Sequence, residues 1–401
     1  MALMKLSFCA FLASASTLVK RTLPDDVAAQ RAAFALDGSA YAYFAPENLS
    51  AVDWVIYFEG GGECETHVDC LERAKSSLGS SRALPATLDS DLITDGVLSS
   101  RAHANPFAAF GFVYLPYLSG DDWLGAQSAA ADPWGGGGAR PLWFAGANNA
   151  RAAVADWLAA LPAPPARVLV SGGSAGGQGA FFHADAIAAM LPRGAVVKAN
   201  PQYGWFEPPN DRYPDWLAGV ATDPTIPYTS SKSPYPVPAW MLGGGVRLAL
   251  PRACVAETSA SPEACTSTPR VAPSVSVPLF ISTNVFDAWT TDVMEQCPTS
   301  ATLAPGDPRL EYLLAVTAPA MRDSVRNATA AGNERGAFAP ACLSHPMAWA
   351  DSEKLGGCTH AQAVASWFFG TAECERVLID SRATAEELAA MSCNGGRFEV
   401  A

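Results

Sequence analysis

Apolar residues along this chain fall into short runs, each closed by glycine or proline, with stretches of helical spacing between them. Val168-Leu169-Val170 is one such run, apolar and partly β-branched, and reads as a buried strand. The chain then turns through Gly172 and Gly173. Beyond Ser174, the residues Phe181, Ala184, Ile187, Ala188 and Met190 recur at roughly helical spacing. Residues 54–58 form a second strand running into Glu59-Gly60-Gly61-Gly62, and residues 112–115 a third that ends at Pro116. A helix is predicted over 148–161, with Ala152, Val154, Trp157, Leu158 and Leu161 toward the core. Asn148 or Asn149 is available as its cap, and Pro162, Pro164 and Pro165 stop it. Val196-Val197 and residues 279–282 are further short strands. Strands alternating with helices imply an α/β architecture, a mainly parallel sheet covered on both faces. Sites in such sheets lie beyond the carboxyl ends of the strands. Residues 135–138, 224–238 and 258–278 read as loops or insertions able to roof that edge, and no internal repeat is found.

The 401 residues are 49% hydrophobic and 16% charged, a globular composition, and residues 16–401 are read as one α/β domain. Lys5, the apolar run 6–12 and Ala13-Ser14-Ala15 have the form of a signal peptide cleaved after Ala15, so residues 1–15 are assigned to a leader. The apolar run is too short to cross a bilayer and no later stretch is long enough, which argues against membrane insertion. Cysteine usage fits export. Beyond Cys9 in the leader, neighbours in sequence suggest the pairs Cys64/Cys70, Cys254/Cys265, Cys342/Cys358 and Cys374/Cys393, with Cys297 left over. Asn48 and Asn327 head glycosylation tripeptides. A net charge of −13 argues against nucleic acid and anionic lipid as partners. A secreted monomer is expected, extracellular or in a cell wall.

Gly172-Gly173-Ser174-Ala175-Gly176 matches G-x-S-x-G between a strand and a helix, the setting that holds a serine hydroxyl exposed at a sheet edge. Ser174 is therefore the candidate nucleophile, and it needs a base and an orienting acid. His183 lies in the helix after Ser174 and His67 in the small Cys64/Cys70 loop, while His103 has no evident companion. His345 and His360 come late, where the order Ser…Asp…His would place the base. Asp287 follows the strand at 279–282 and is the candidate acid, with Asp292 as fallback. The N–H of Ala175 and the turn Gly60-Gly61-Gly62 supply candidate oxyanion donors. A rival use of the late residues is zinc, because Cys342-x-x-His345 and Cys358-x-His360 have ligand-like spacing. A disulfide between Cys342 and Cys358 is preferred in a secreted chain.

Six segments together resemble the pectin acetylesterase/Notum family of secreted serine esterases. They are Leu36-Asp-Gly-Ser39, Val55-Ile-Tyr-Phe-Glu-Gly-Gly-Gly-Glu-Cys64, Ser171-Gly-Gly-Ser-Ala-Gly-Gly177, Phe286-Asp-Ala-Trp289, Cys342-Leu-Ser-His345 and Ala363-Val-Ala-Ser-Trp-Phe-Phe369. The resemblance runs in order from about residue 33 to about residue 370 and implies an α/β-hydrolase-like scaffold that works without metal or cofactor. It implies Ser174 as nucleophile, Asp287 as orienting acid and His345, rather than His360, as base. Gly61, Gly62 and Ala175 fall at the oxyanion-hole positions. The implied substrate is an acetylated polysaccharide. The alternatives are an acylated protein stripped of a fatty acyl group, as in the Notum branch, or a silent glycan-binding member. Two departures stand out: Glu63 replaces a usual aromatic beside the oxyanion turn, and Pro346 stands where plant members have a cysteine.

Overall fold

Side chains alternate strictly across the strand Asp53–Phe58: Trp54, Ile56 and Phe58 pack into one apolar cluster, Val55 and Tyr57 into another. A strand buried on both faces is what a helix-covered parallel sheet requires. The computed structural model describes residues 17–92, 96–134, 141–206, 237, 239–243, 245–294, 302–332 and 334–394. The expected leader 1–15, Cys297 and the loop 135–138 lie outside them, as does almost all of 224–238. The strands are Thr17–Thr22 (β1), Ala42–Ala45 (β2), Asp53–Phe58 (β3), Thr87–Asp89 (β4), Gly111–Leu115 (β5), Arg167–Gly173 (β6), Val196–Gln202 (β7), Phe280–Ser282 (β8), Gly336–Ala339 (β9) and Val377–Ile379 (β10). They form one sheet in the order β10-β9-β8-β7-β6-β3-β5-β2-β1-β4. Pairing is parallel from β10 through to β5 and antiparallel across β2, β1 and β4.

Helices Asp25–Arg31 (α1), His67–Arg73 (α2), Gly146–Ala160 (α3) and Ala175–Met190 (α4) precede or follow these strands. Trp157 of α3 meets Trp54 edge-on at 5.3 Å, and Phe181 and Ile187 of α4 join the same cluster. Such an aromatic pair adds roughly 0.5–1.5 kcal/mol beyond area burial. The helix His360–Phe369 covers the opposite face, bringing Val364, Trp367 and Phe368 against Phe280 and Phe338.

Two readings of local sequence change here. Asn148 and Asn149 do not cap α3, which begins two residues earlier. Their side-chain amides donate to Ala32 O, Gln127 O and Phe34 O, and the buried carboxylate of Asp121 accepts from Gly146 N–H at 2.9 Å. Residues 258–278 are not open loop: short helices Pro262–Thr266 and Thr268–Val271 are tied to Arg252–Glu257 by the Cys254–Cys265 disulfide. No helix among the described residues is long and apolar enough to cross a membrane.

Candidate active site

Strand β6 enters α4 through a single residue, Ser174, held at φ 58° and ψ −125°. A non-glycine residue in that region costs on the order of 1–3 kcal/mol and persists only where its surroundings enforce it. Ser174 N–H donates to Gln202 O of β7 at 3.1 Å, and Gly176 packs on the carbonyl of Phe58 so closely that a side chain there would clash. The elbow is thus clamped between the carboxyl ends of β3 and β7, and Ala175 opens the helix with its N–H at the free amino end.

Asp287 lies just past β8 with only 1% of its side chain exposed, and accepts from Thr290 N–H at 3.1 Å. His345 sits on the loop after β9. That loop is fastened to the Asp287 segment by the Phe286–Leu343 bridge and by Asn284 Nδ2 donating to Ser344 O at 2.6 Å. His345 Nδ1 is 3.1 and 3.0 Å from the two oxygens of Asp287, and Nε2 is 2.7 Å from Ser174 Oγ. With the carboxylate accepting from Nδ1–H, the neutral ring presents a lone pair at Nε2 to the hydroxyl. An imidazole so placed can take the hydroxyl proton, and the buried carboxylate stabilises the resulting cation.

The rival histidines are engaged elsewhere. His183 is buried against Phe58, with Nε2 2.8 Å from Trp123 O, and burial pushes it down to about 4. His360 lies in the core, with Nε2 2.7 Å from Ser282 Oγ, and burial pushes it down to about 3. His67 stacks on Trp134, and His103 is exposed. Asp287 rather than Asp292 meets His345.

The glycine turn after β3 faces the serine. An added side chain at Gly60 would come within 3.0 Å of Ser174 Cβ, and Gly61 and Gly62 adopt φ of 133° and 63°. Their N–H groups have no backbone acceptor among the described residues. Aromatic rings surround the imidazole: Tyr203 at 5.2 Å, Phe206 at 6.0 Å and Trp289 at 6.1 Å between centroids. Sequence reasoning missed Tyr203, Phe206 and Asn284, none of which belongs to a motif. Trp289, two residues beyond Asp287, carried a signal in its spacing. Glu63 is half-buried, and its carboxyl is pushed up by burial and hydrogen-bonded to that of Glu65. Glu65 is pushed up to about 8, first by burial and then by the charge of Glu63.

Of the four disulfides among the described residues, two are the expected pairs, Cys64–Cys70 and Cys254–Cys265. The remaining expected pairs, Cys342/Cys358 and Cys374/Cys393, do not form: Cys342 bonds Cys393 across 51 residues, and Cys358 bonds Cys374. Parallel pairing of β9 with β10 brings the segments that follow both strands to the same sheet edge, so Cys342 meets the tail. Cys374 turns back on its preceding helix, its N–H donating to Ser366 Oγ at 3.0 Å, and thereby reaches Cys358. The proposed zinc ligands are accordingly divided between two disulfides, the serine and Ser282.

A helix-covered parallel sheet, a serine at a strained strand–helix turn and a histidine–aspartate pair on later loops define a protein of the α/β-hydrolase-like class. Within that class the chain belongs to the pectinacetylesterase family, whose model matches residues 12–387. Pectin acetylesterase 7 of Arabidopsis thaliana is 27% identical over 370 residues, covering 87% of this chain and 88% of that protein. The human palmitoleoyl-protein carboxylesterase NOTUM is 26% identical over 333 residues, covering 80% of this chain and 61% of that protein. The solved structure of the Wnt deacylase Notum from Drosophila shares the fold, with a TM-score of 0.72 at 20% identity over 94% of this chain and 99% of that one.

Proposed function

We propose that the chain is a secreted serine carboxylesterase that removes acetyl groups from a polysaccharide. One observation carries the reading: a serine, an imidazole and a buried carboxylate from three distant segments form a single hydrogen-bonded row, 2.7 Å on one side of the ring and 3.0 Å on the other. His345 takes the proton of Ser174 as Oγ attacks the acyl carbon, and Asp287 holds the ring and its charge. The N–H groups of Gly61, Gly62 and Ala175 receive the oxyanion. Collapse of the intermediate releases the alcohol with the proton from His345. Water, activated by the same ring, then frees the acid.

Alignment with pectin acetylesterase 7 over most of both chains supports the acetyl ester. The cysteines paired as four disulfides among the described residues, and the exposed Asn48 and Asn327, are in keeping with an exported protein whose leader is residues 1–15. A second reading, hydrolysis of a fatty acyl ester on a protein, draws on the Notum relatives and on the aromatic rings around His345. Rates on esters of graded acyl length, with Ser174→Ala alongside, separate the two. A rate falling with chain length favours acetyl, a rate rising with it favours fatty acyl, and equal rates for the two proteins would refute both.

A further inference from the structure

Arg73 is the last residue of α2, whose middle is tied by the Cys64–Cys70 disulfide to the segment just past the glycine turn. Its guanidinium reaches back beneath that turn. Nη1 donates to Gly61 O at 2.9 Å, Nη2 to Gly62 O at 3.1 Å and Nε to Leu78 O at 3.2 Å. The guanidinium carbon lies 4.9 Å from the centroid of the Tyr117 ring, which seats its face. Each of the three guanidinium nitrogens is therefore engaged with a main-chain carbonyl.

The two ends of a trans peptide point in opposite directions. Gly61 C=O and Gly62 N–H belong to the same peptide unit, so a cation drawing on that oxygen directs the N–H away from itself and strengthens it as a donor. The turn needs such an anchor. Gly61 and Gly62 both have positive φ, and their N–H groups have no backbone acceptor among the described residues, so the segment is held from its carbonyl side. Glu59, Glu63 and Asp122 crowd the same region: burial pushes their carboxyl groups up, and the charge of Arg73 opposes that shift in each.

We propose that Arg73 is the positioning residue of the oxyanion turn, fixing and polarising the Gly61–Gly62 peptide so that its N–H receives the tetrahedral anion. The proposal rests on the serine-esterase reading above. Its test compares Arg73→Met and Arg73→Lys with the wild type in the full-length secreted protein. The readouts are kcat and KM on a short-chain ester, binding of a phenylboronic acid, which forms a tetrahedral anion on serine, and binding of the neutral parent alcohol.

Arg73→Met is expected to lower kcat by about 10²–10³-fold, the scale of losing one oxyanion donor, with KM little changed. Boronate affinity should fall in parallel while alcohol affinity holds. Lysine keeps the charge but cannot fork between two carbonyls, so Arg73→Lys should recover only part of the loss. Guanidinium ion added at millimolar level should partly restore Arg73→Met. A kcat loss under about tenfold, or equal weakening of boronate and alcohol, would overturn the proposal. Should Arg73→Met fail to fold, the boronate-to-alcohol ratio of Arg73→Lys decides by itself. If wild type and Ser174→Ala hydrolyse the ester equally slowly, the esterase reading fails first and the role of Arg73 falls with it.

Discussion

Ser174 holds a backbone conformation that few side chains tolerate, and Asp287 holds a carboxyl group almost wholly out of water. Each is sustained by specific neighbours, so each should respond sharply to a small change. Asp287→Asn preserves shape but would favour the imidazole tautomer with its proton on Nε2, facing the serine. By analogy with other serine hydrolases, kcat should fall by about 10⁴-fold at neutral pH while circular dichroism stays native. A loss of less than tenfold would remove Asp287 from the mechanism. Glu65 gives a stability prediction of definite sign. Burial first, then the charge of Glu63, holds its carboxyl up to about 8, whereas an unfolded glutamate titrates near 4.3. Between those values the folded protein binds the extra proton, so this group's contribution to stability is present at low pH and lost as pH rises toward about 8. Melting temperature should drop across that interval, and Glu65→Gln should flatten the drop and melt higher at its alkaline end. Parallel curves for the two proteins would show that Glu65 is not the group responsible.

The disulfide from Cys342 to Cys393 ties the loop bearing His345 to the short turn Ser392–Asn394. Asn394 reinforces it, its Oδ1 accepting from Leu343 N–H at 2.7 Å. The bridge closes 51 residues, for which loop-closure entropy gives about 4 kcal/mol. Replacing both cysteines with serine should remove roughly that much in a denaturant titration and lower kcat as well. Removing Cys254–Cys265, which is not linked to the His345 loop, should lower stability with kcat retained. Equal kcat in the two variants would separate the His345 loop from its bridge. Neither this bridge nor the strands around it could be read from neighbouring residues. β9 is Gly-Ala-Phe-Ala and β10 only Val-Leu-Ile, too short and plain to stand out from loop, and their adjacency is a long-range pairing. The central strands β3, β5 and β6 were legible because burial on both faces demands continuous apolar runs. Ser174 and Asp287 stood out as candidates for a different reason: each sits where a strand gives way to loop or helix, and the chemistry limits the residue types. His345, by contrast, was separated from His360 only by the family resemblance. Tyr203 and Phe206 were not legible, since a ring near the imidazole is placed by the end of β7 and carries no local pattern.

With 39 acidic against 26 basic residues, the molecule approaches any substrate through a negative field. Around the glycine turn that bias is muted, since burial pushes the carboxyl groups of Glu59, Glu63, Glu65 and Asp122 up, and Arg73 is committed to the turn carbonyls. Pectin-type polymers carry uronate charges of the same sign, so encounter with them should be governed by salt. The screening length shrinks from about 30 Å at 0.01 M to about 8 Å at 0.15 M. On an acetylated polyuronate, kcat/KM should therefore rise as salt is added over that range. On an acetylated neutral glycan of similar length it should stay nearly level, because the chemical step is shielded from bulk ions once the ester is bound. The ratio of the two rates at low salt then measures how strongly this chain selects by substrate charge. A polyuronate rate that falls with salt would mean instead that a cationic track, placed outside the turn, guides the polymer in.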